Sequence, residues 1–331
     1  MNKKLTIFIV IISGILFGSC YADLDLEKYR PTPKAVLNCS VFPDTVVMAS
    51  ISRTWFFTDQ YPNITLKNAT VELYVNGSYK EQMQWSDAAE EGSLNADGIY
   101  ISSFVPHPGD AIKVVASTEY GTVWAEDTVP SQATLDDIKI SYRSIDDGSI
   151  IIDSSGITPM MKIEVKYEIT FRDNANETNY YLIRISDDSH RGIGSLDYSS
   201  DPIFIGQKSI LEGSLEGKFL GGQGGRTFSD ETINGKEYTL IIKETGGDYN
   251  YIFKGELKRK ITLFSLSQAY YQYLSSLQYI DDDNLMHDMA DYGLAEPVKI
   301  YSNILGGGTG ILGAGQKTDK IKDLREILPE S

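Results

Sequence analysis

The stretch ATVELYVNG, residues Ala69–Gly77, decides the fold class of this chain. Apolar and polar side chains alternate along it, and this period of two predicts a β-strand with one buried face. The closing Asn76-Gly77 pair accepts the positive φ angles of a two-residue turn. The stretch therefore predicts the first half of a β-hairpin.

Short strand-like runs continue on both sides of this hairpin, with no helical period between them. Their spacing predicts an antiparallel β-sandwich of immunoglobulin-like type over residues 35–130. Val129 and Pro130 close this unit and mark the predicted domain boundary. The other strand candidates of this domain lie at residues 46–54, 99–104, 111–116 and 122–125.

Residues 131–331 predict a second antiparallel β domain, which makes the chain mostly β. Leu266, Tyr270 and Leu274 recur at helical spacing and predict one amphipathic helix near residues 266–280. The charged tail from Lys317 onward is expected to fray. The strand candidates of this domain lie at residues 138–142, 161–171, 180–186, 236–243, 254–263 and 298–304.

The N-terminus has the pattern of a bacterial lipoprotein signal, predicted over residues 1–19. Two lysines precede an apolar run over residues 5–16, which is too short to span a bilayer. Gly18 and Ser19 then lead into Cys20. Acylation of the Cys20 thiol and amine by long chains such as palmitate would anchor the mature chain stably in a membrane.

Residues 20–34 predict a lipidated linker, since they are polar and contain two prolines. Asp23, Asp25 and Glu27 follow the acylation site closely. Two interpretations remain open for these acids: an ordinary solvated linker, or a short acidic tag that directs a lipoprotein to the outer face of the outer membrane. The choice between the cell surface and the periplasmic face is therefore undecided.

Composition limits the partners of the chain. Its 331 residues suggest two domains, and their formal net charge of −16 becomes more negative once the signal lysines are removed. An acidic surface argues against nucleic acid and anionic lipid headgroups as partners. Apart from the membrane anchor, composition identifies no partner.

Cys39 is the only cysteine left after lipidation, so the mature chain cannot form an internal disulfide. It lies in the strand-like run 35–41, which predicts a small buried hydrophobic residue. A catalytic thiol would need a neighbouring histidine. The three histidines, His107, His190 and His287, are all distant in sequence.

The sequence predicts no catalytic residue, no metal site and no cofactor. Residues 308–313 match the dinucleotide fingerprint by letter, but a helix and a second parallel strand do not follow. We interpret these glycines as positions where backbones pack closely. The acidic run Asp281–Asp283 fails the spacing of a calcium loop and indicates a solvated helix end, although cation binding there stays open.

Two pairs of residues are candidates for surface chemistry. Trp55, Phe56 and Phe57 form an apolar cluster, in which Trp55 and Phe56 are the candidates for contact with a sugar or a protein partner. Thr45 and Thr128 each lie in an Asp-Thr-Val triplet, which resembles a short O-glycosylation sequon of exported Bacteroidetes-type proteins. The alternative for both triplets is an ordinary turn at a strand edge.

The chain resembles a large group of Bacteroidetes outer-membrane lipoproteins described only as a domain of unknown function. The matching stretches include Asn68–Tyr74, Pro106–Asp110, Tyr270–Leu274 and Tyr301–Ile304 with the glycines after it. The resemblance implies an envelope lipoprotein whose gene often lies beside those of TonB-dependent receptors. It transfers no catalytic residue.

The leading hypothesis is a non-enzymatic accessory or binding component of a TonB-dependent nutrient-uptake system. Gly306, Gly307 and Gly308 are candidates for partner or ligand contact, together with loops of the second domain. One alternative is a surface adhesion or structural module. A second is a carbohydrate-active hydrolase, because paired carboxylates can lie far apart in sequence.

Overall fold

The computed structural model describes residues 25–60, 63–87, 98–145, 150–153, 156–159, 162–175, 177–187, 193–204, 225–248, 257–278 and 299–327. Within these ranges the chain forms eighteen strands and one α-helix, α1 (Gln268–Gln278). Short 3-10 helices cover Leu26–Tyr29, Pro202–Phe204 and Leu324–Ile327. The chain is mostly β, as the alternation of its side chains predicts.

The strands are numbered in chain order. They are β1 (Ala35–Val41), β2 (Met48–Arg53), β3 (Thr70–Val75), β4 (Ser78–Gln82), β5 (Gln84–Ser86), β6 (Ile99–Ile101), β7 (Ala111–Thr118), β8 (Gly121–Thr128), β9 (Thr134–Ile145), β10 (Ile150–Asp153), β11 (Gly156–Pro159), β12 (Lys162–Arg172), β13 (Tyr180–Asp187), β14 (Ser195–Asp197), β15 (Arg226–Ser229), β16 (Glu237–Asp248), β17 (Lys258–Leu266) and β18 (Thr309–Asp323).

The chain divides into two compact units of very different size. The described part of the small unit consists of residues 25–33 and 55–60 with Asn63. The large unit contains the remaining described residues from Lys34 onward, including all eighteen strands.

One strand, β18, belongs to both halves of the largest sheet, whose order is β15-β13-β17-β18-β1-β2-β6-β5. The beginning of β18 runs parallel to β1, with Thr309 opposite Val36. Its remainder runs antiparallel to β17, with Asp323 opposite Lys258. Two four-stranded sheets, β4-β3-β7-β8 and β14-β16-β12-β9, and the small sheet β10-β11 complete the set.

Two large hydrophobic cores lie in the large unit, and each contains side chains from the large sheet and from one four-stranded sheet, as in a β-sandwich. The N-terminal core includes Leu37, Ile51, Val71, Leu73, Ile112, Val114, Val123, Ile304 and Leu312. The C-terminal core includes Val165, Tyr167, Ile169, Phe171, Tyr181, Phe228, Leu240, Ile261 and Leu263. A smaller cluster joins α1 to the large sheet through Leu182, Phe264, Leu266, Tyr270, Leu274 and Ile311.

The predicted hairpin forms as expected. Val71 and Leu73 are fully buried, and the strand pairs with β4. Asn76 and Gly77 have φ angles of 52° and 77°, which suit the turn between the strands. Cys39 is buried as predicted, and burial raises the pKa of its thiol to about 12.

The helix prediction is also confirmed, since α1 lies inside the predicted range. Ser267 precedes α1 and accepts a hydrogen bond at Oγ from the Tyr270 backbone N–H at 3.2 Å, as an N-cap should. Tyr270 and Leu274 are buried, so these two side chains of the stripe face the protein. Among the described residues no helix is both long and apolar enough to cross a bilayer.

Two expectations for the C-terminal segment are wrong. The charged residues after Lys317 do not fray but continue β18 to Asp323, because their backbone pairs with β17. Residues 299–304 form no strand, and only Leu305 makes an isolated bridge, to Trp124. The charged side chains after Lys317 mislead because they face solvent, while their backbone supplies the strand pairing.

The glycine-rich segment opens β18 and allows close packing, as predicted in place of a dinucleotide site. Gly310 has a φ of 113°, and a Cβ there would lie 2.2 Å from the Leu37 carbonyl oxygen. Only glycine fits this parallel pairing of β18 with β1.

The domain boundary at Pro130 stays a prediction. The structure adds that Ile304, Leu312 and Ala314, which the sequence assigns to the second domain, contribute side chains to the N-terminal core.

Candidate functional site

A cleft of about 760 Å³ lies within the large unit, between segments that belong to both sandwiches. This volume falls in the range of small-molecule sites, which often form where two domains meet. We name it the junction cleft. Its lining residues are Pro108, Gly109, Asp127–Ser131, Glu177–Tyr180 and Ser265–Gln268.

Asp127, at the end of β8, is the most heavily engaged side chain of the junction cleft. One carboxylate oxygen accepts hydrogen bonds from the Ser267 hydroxyl and, at 2.9 Å, from the Ala314 backbone N–H. The other accepts the Thr128 backbone N–H at 2.9 Å. The carboxylate thus ties β8 to β18 and to the segment that enters α1.

Burial shapes the ionisation of this carboxyl. Removal from water raises the pKa of Asp127 to about 6, while hydrogen bonds from Ser267, Ala314 and Thr128 oppose the rise. All these donors come from the protein itself, so Asp127 acts first as a structural acceptor. A raised pKa in a cleft is also typical of functional sites, so Asp127 is a candidate for a ligand contact as well as a structural acceptor.

The opposite wall is built around Glu177 and the aromatic residues beside it. Glu177 accepts hydrogen bonds from the Ser131 hydroxyl and, at 3.0 Å, from Asn174 Nδ2. Tyr180 stacks on Tyr271 of α1, with ring centroids 4.7 Å apart and planes inclined by 28°. Glu177 thus ties the loop before β13 to Ser131, and Tyr180 ties the start of β13 to α1.

A smaller cavity of about 250 Å³ shares Ser131 and Asn179 with the junction cleft. Beneath it the Tyr181 hydroxyl donates to Asp173 at 2.5 Å, and the Gly235 N–H donates to the other oxygen of Asp173 at 2.6 Å. Burial is the main cause that raises the pKa of Tyr181, followed by its bond to Asp173. The tyrosine therefore stays protonated and holds Asp173 in place.

The charges of the junction cleft have one sign. Asp127 and Glu177 are its charged lining residues, and the described lining contains no lysine, arginine or histidine. An anionic ligand would meet only repulsion here, whereas hydroxyl or ammonium groups could donate to the carboxylates. Over the same described residues, no group of three or more His, Cys, Asp or Glu side chains is placed to hold a metal ion.

The structure places the two candidate O-glycosylation residues at different sites. Both are exposed: Thr45 lies in the turn between β1 and β2, and Thr128 ends β8 at the rim of the junction cleft. The neighbouring acids differ as well, since Asp127 points into its hydrogen-bonded network while Asp44 pairs with Lys317 at the surface. Glycosylation at either threonine stays a prediction.

The aromatic candidates belong to the small unit. Trp55 is 52% exposed, but Phe56 is half-buried, with the Arg30 guanidinium 4.9 Å from its ring centroid. Phe57, the third ring of the apolar cluster, is 66% exposed. Adjacent aromatic letters carry no signal for which ring faces out in an irregular loop.

The glycine candidates lie beside the N-terminal sandwich. A Cβ at Gly306 would meet the Thr122 carbonyl and the Trp124 ring, and one at Gly308 would meet Val123. Gly307 has open space around it. Close packing within the chain explains the first and third glycines, while a contact of any of the three with a partner stays a prediction.

The remaining candidates, Cys20 and Asp281–Asp283, lie outside the described residues. Sequence reasoning missed the junction cleft itself. Glu177 carries no pattern that marks it, and Asp127 entered only as a neighbour of Thr128. The contact of the Ser267 hydroxyl with Asp127 has no local signal either, because it depends on tertiary structure.

Comparison with known proteins gives a family and no closer relative. No curated protein and no solved structure matches the chain. A family model described as a domain of unknown function matches residues 22–321, nearly the whole chain. The chain therefore belongs to the family of this domain of unknown function, DUF4249.

Proposed function

We propose that this protein is a lipid-anchored component of the outer membrane that captures a polar nutrient, without catalysis, for a TonB-dependent receptor. The junction cleft is the observation that carries the proposal, because its size and its position between two sandwiches suit a small-molecule site. The lipoprotein signal ending at Cys20 and the resemblance noted from the sequence support the location and the partner.

The expected ligand is neutral or cationic and rich in hydroxyl or amino groups. Asp127 and Glu177 supply acceptors, Ser131 and Ser267 supply hydroxyls, and no basic side chain among the described lining residues would pair with an anion. Neutral oligosaccharides and polyamines fit this description, whereas sugar phosphates do not.

Purification of the lipidated protein from gently solubilised membranes tests the receptor partnership. A TonB-dependent receptor recovered in stoichiometric amount would support the uptake role. Recovery of the protein alone would contradict it and favour the adhesive alternative, which predicts binding to matrix material and no receptor. A Cys20→Ser variant is the control, because without acyl chains most of it should be lost from the membrane fraction.

Thermal-shift measurements test the cleft. We expect a panel of neutral oligosaccharides and polyamines to contain a stabilising ligand, and sugar phosphates to have no effect. Glu177→Lys should abolish the stabilisation, while Glu231→Lys, an exposed change of the same charge outside the cleft lining, should retain it. Stabilisation by sugar phosphates only would contradict the assignment.

A further inference from the structure

Three large aromatic side chains are exposed on the small unit. Tyr29, Trp55 and Phe57 show 70%, 52% and 66% of their surfaces to solvent. Single exposed apolar residues are common on proteins. Three aromatic rings within the few described residues of one small unit instead indicate a surface with a partner.

Arg30 holds the aromatic loop, residues 55–60, against the described part of the predicted linker, which begins at Asp25. Its guanidinium bonds Glu27 at 2.6 and 2.9 Å and pairs with Asp59 at 2.8 Å. It also covers the Phe56 ring. Thr58 adds a hydrogen bond to Glu27 at 2.8 Å, so the loop and the N-terminal segment form one fastened element.

The position of the small unit in the chain, close to the acylation site, indicates that its partner is a membrane surface. The first described residue, Asp25, lies five residues after Cys20. At roughly 3.3–3.6 Å per residue this link spans at most about 18 Å, which is less than the hydrocarbon thickness of a bilayer, about 30 Å. A chain acylated at Cys20, as the proposed function requires, therefore keeps the aromatic loop close to the headgroups.

Charge narrows the chemistry of that partner. Asp25 and Lys28 lie 3.7 Å apart, and the Arg30 guanidinium is shared between Glu27 and Asp59. No excess of basic groups is left in the described part of this unit to attract anionic headgroups. Tryptophan and tyrosine rings favour the interface of a bilayer, where an apolar body and a polar edge are both accommodated.

We propose that the small unit docks on a zwitterionic phospholipid surface, with the Trp55 and Phe57 side chains inserted between headgroups and acyl chains. The aromatic loop is then a second membrane contact beside the acyl anchor. Because the anchor makes this contact intramolecular, a weak surface affinity suffices. The contact fixes the orientation of the small unit, which acyl chains alone do not do.

Brominated phospholipids test this proposal by quenching tryptophans that enter the bilayer. We expect the acylated protein in phosphatidylcholine vesicles to lose part of its tryptophan fluorescence when bromolipid is included. Trp55→Phe should remove the quenched component, and Trp85→Phe, a change in the large unit, should retain it. Phe57→Ser should reduce quenching at least twofold, while Tyr79→Ser, an equally exposed ring elsewhere, should not.

The outcomes separate this proposal from the anchoring on which it rests. Vesicle-bound protein without Trp55 quenching would overturn docking and leave anchoring intact. Absence of labelling at Cys20 by an alkyne palmitate analogue would overturn anchoring. In that case partition of the unacylated chain into phosphatidylcholine vesicles decides docking, with an expected loss of at least tenfold in the Trp55→Ser, Phe57→Ser double variant. Docking would also be overturned if the parent and the double variant partitioned equally into the vesicles. The same holds if self-association of the protein, without lipid, shielded Trp55 from solvent.

Discussion

The N-terminal and C-terminal cores of this protein are similar in architecture but stabilised in different ways. Within the described residues of the N-terminal sandwich, buried polar groups are few: Ser102 and, at the end of β8, the carboxyl of Asp127. The C-terminal half buries many more, among them Asp173, Asp230, Glu244 and Arg259. The first core depends on apolar packing, whereas the second also depends on groups that must all be paired.

The centre of the second core is an ion pair with two further partners. Arg259 donates to both oxygens of Glu244 at 2.9 and 3.1 Å, and Tyr167 and the Gly194 N–H complete the shell. Burial opposes ionisation of Glu244, but the hydrogen bonds and charge of Arg259 outweigh it and hold the pKa below the ordinary value. Removing one partner of this buried pair is costly because the other charge stays in the core, although the intact pair itself adds little net stability.

Removing Glu244 should therefore give the largest effect. We expect Glu244→Leu to lower the free energy of unfolding by about 4 kcal/mol, because the charge of Arg259 loses its carboxylate partner in the core. Urea unfolding monitored by circular dichroism measures this. The double variant with Arg259→Met should recover more than half of the loss. A double variant no more stable than the single one would show that packing, and not the orphaned charge, sets the cost.

The Glu244–Arg259 pair also makes the stability of the fold depend on pH in the acidic range. Because its folded pKa is depressed, Glu244 contributes stability above the unfolded pKa, and that stability is lost as pH falls through the folded pKa. The difference in the free energy of unfolding between wild type and Glu244→Leu should therefore become smaller below about pH 4.

Truncation in the N-terminal core should cost somewhat less and show no such pH dependence. Leu73→Ala removes a fully buried side chain between two sheets, so we expect a loss of about 3 kcal/mol from transfer and cavity terms. The loss should be equal at pH 7 and pH 4, since no titrating group is involved. Leu73→Met, which conserves volume, should cost less than about 1.5 kcal/mol. A strong pH dependence of Leu73→Ala would contradict the contrast between the cores.

Asp127, near the joint between the two sandwiches, should show the opposite pH dependence to Glu244. Its folded pKa of about 6 lies above the ordinary value, so its stabilising contribution is complete below about pH 4 and is lost as pH rises to about 6. Relative to Asp127→Asn, the wild type should thus lose about 2 kcal/mol between pH 4 and pH 6.5. Thermal unfolding of both proteins over this range measures the effect, and parallel curves would refute it.

The smallest effect is expected at the surface of the N-terminal half. Thr45→Val and Thr128→Val should each change stability by less than about 0.5 kcal/mol, because both side chains are exposed. In an exporting native host each variant should lose one glycan mass from its peptide, as seen by mass spectrometry of tryptic digests. Ser103→Ala, at an exposed hydroxyl outside such a triplet, is the control. Unmodified peptides in the wild type would disprove the sequon.

The contrast between the cores also explains what the sequence could predict. Val71 and Leu73 predict the hairpin because side-chain alternation and turn residues are visible in a short stretch of sequence. The apolar stripe of α1 is visible in the same way. The parallel pairing of β18 with β1 joins residues more than 270 positions apart, and no local pattern encodes it. The Glu244–Arg259 pair escaped because charged letters normally indicate solvent.

The candidate site follows the same rule. Its walls come from four separate segments, so the residues of the junction cleft become neighbours only in the folded chain. The sequence marks Trp55, Phe56 and Phe57 as one apolar cluster, but which of these rings lies beneath Arg30 depends on how the loop folds back.

The position of β18 has a consequence for folding. Residues 309–323 lie in the middle of the large sheet, between β1 and β17. The neighbouring strand β1 is more than 270 residues earlier in the chain. Neither sandwich can complete its hydrogen bonding until this segment is in place. Contacts between residues this distant in sequence form slowly, because the entropy of closing a long loop is lost before the pairing is gained. Both sandwiches should therefore complete their folding together, in one late step.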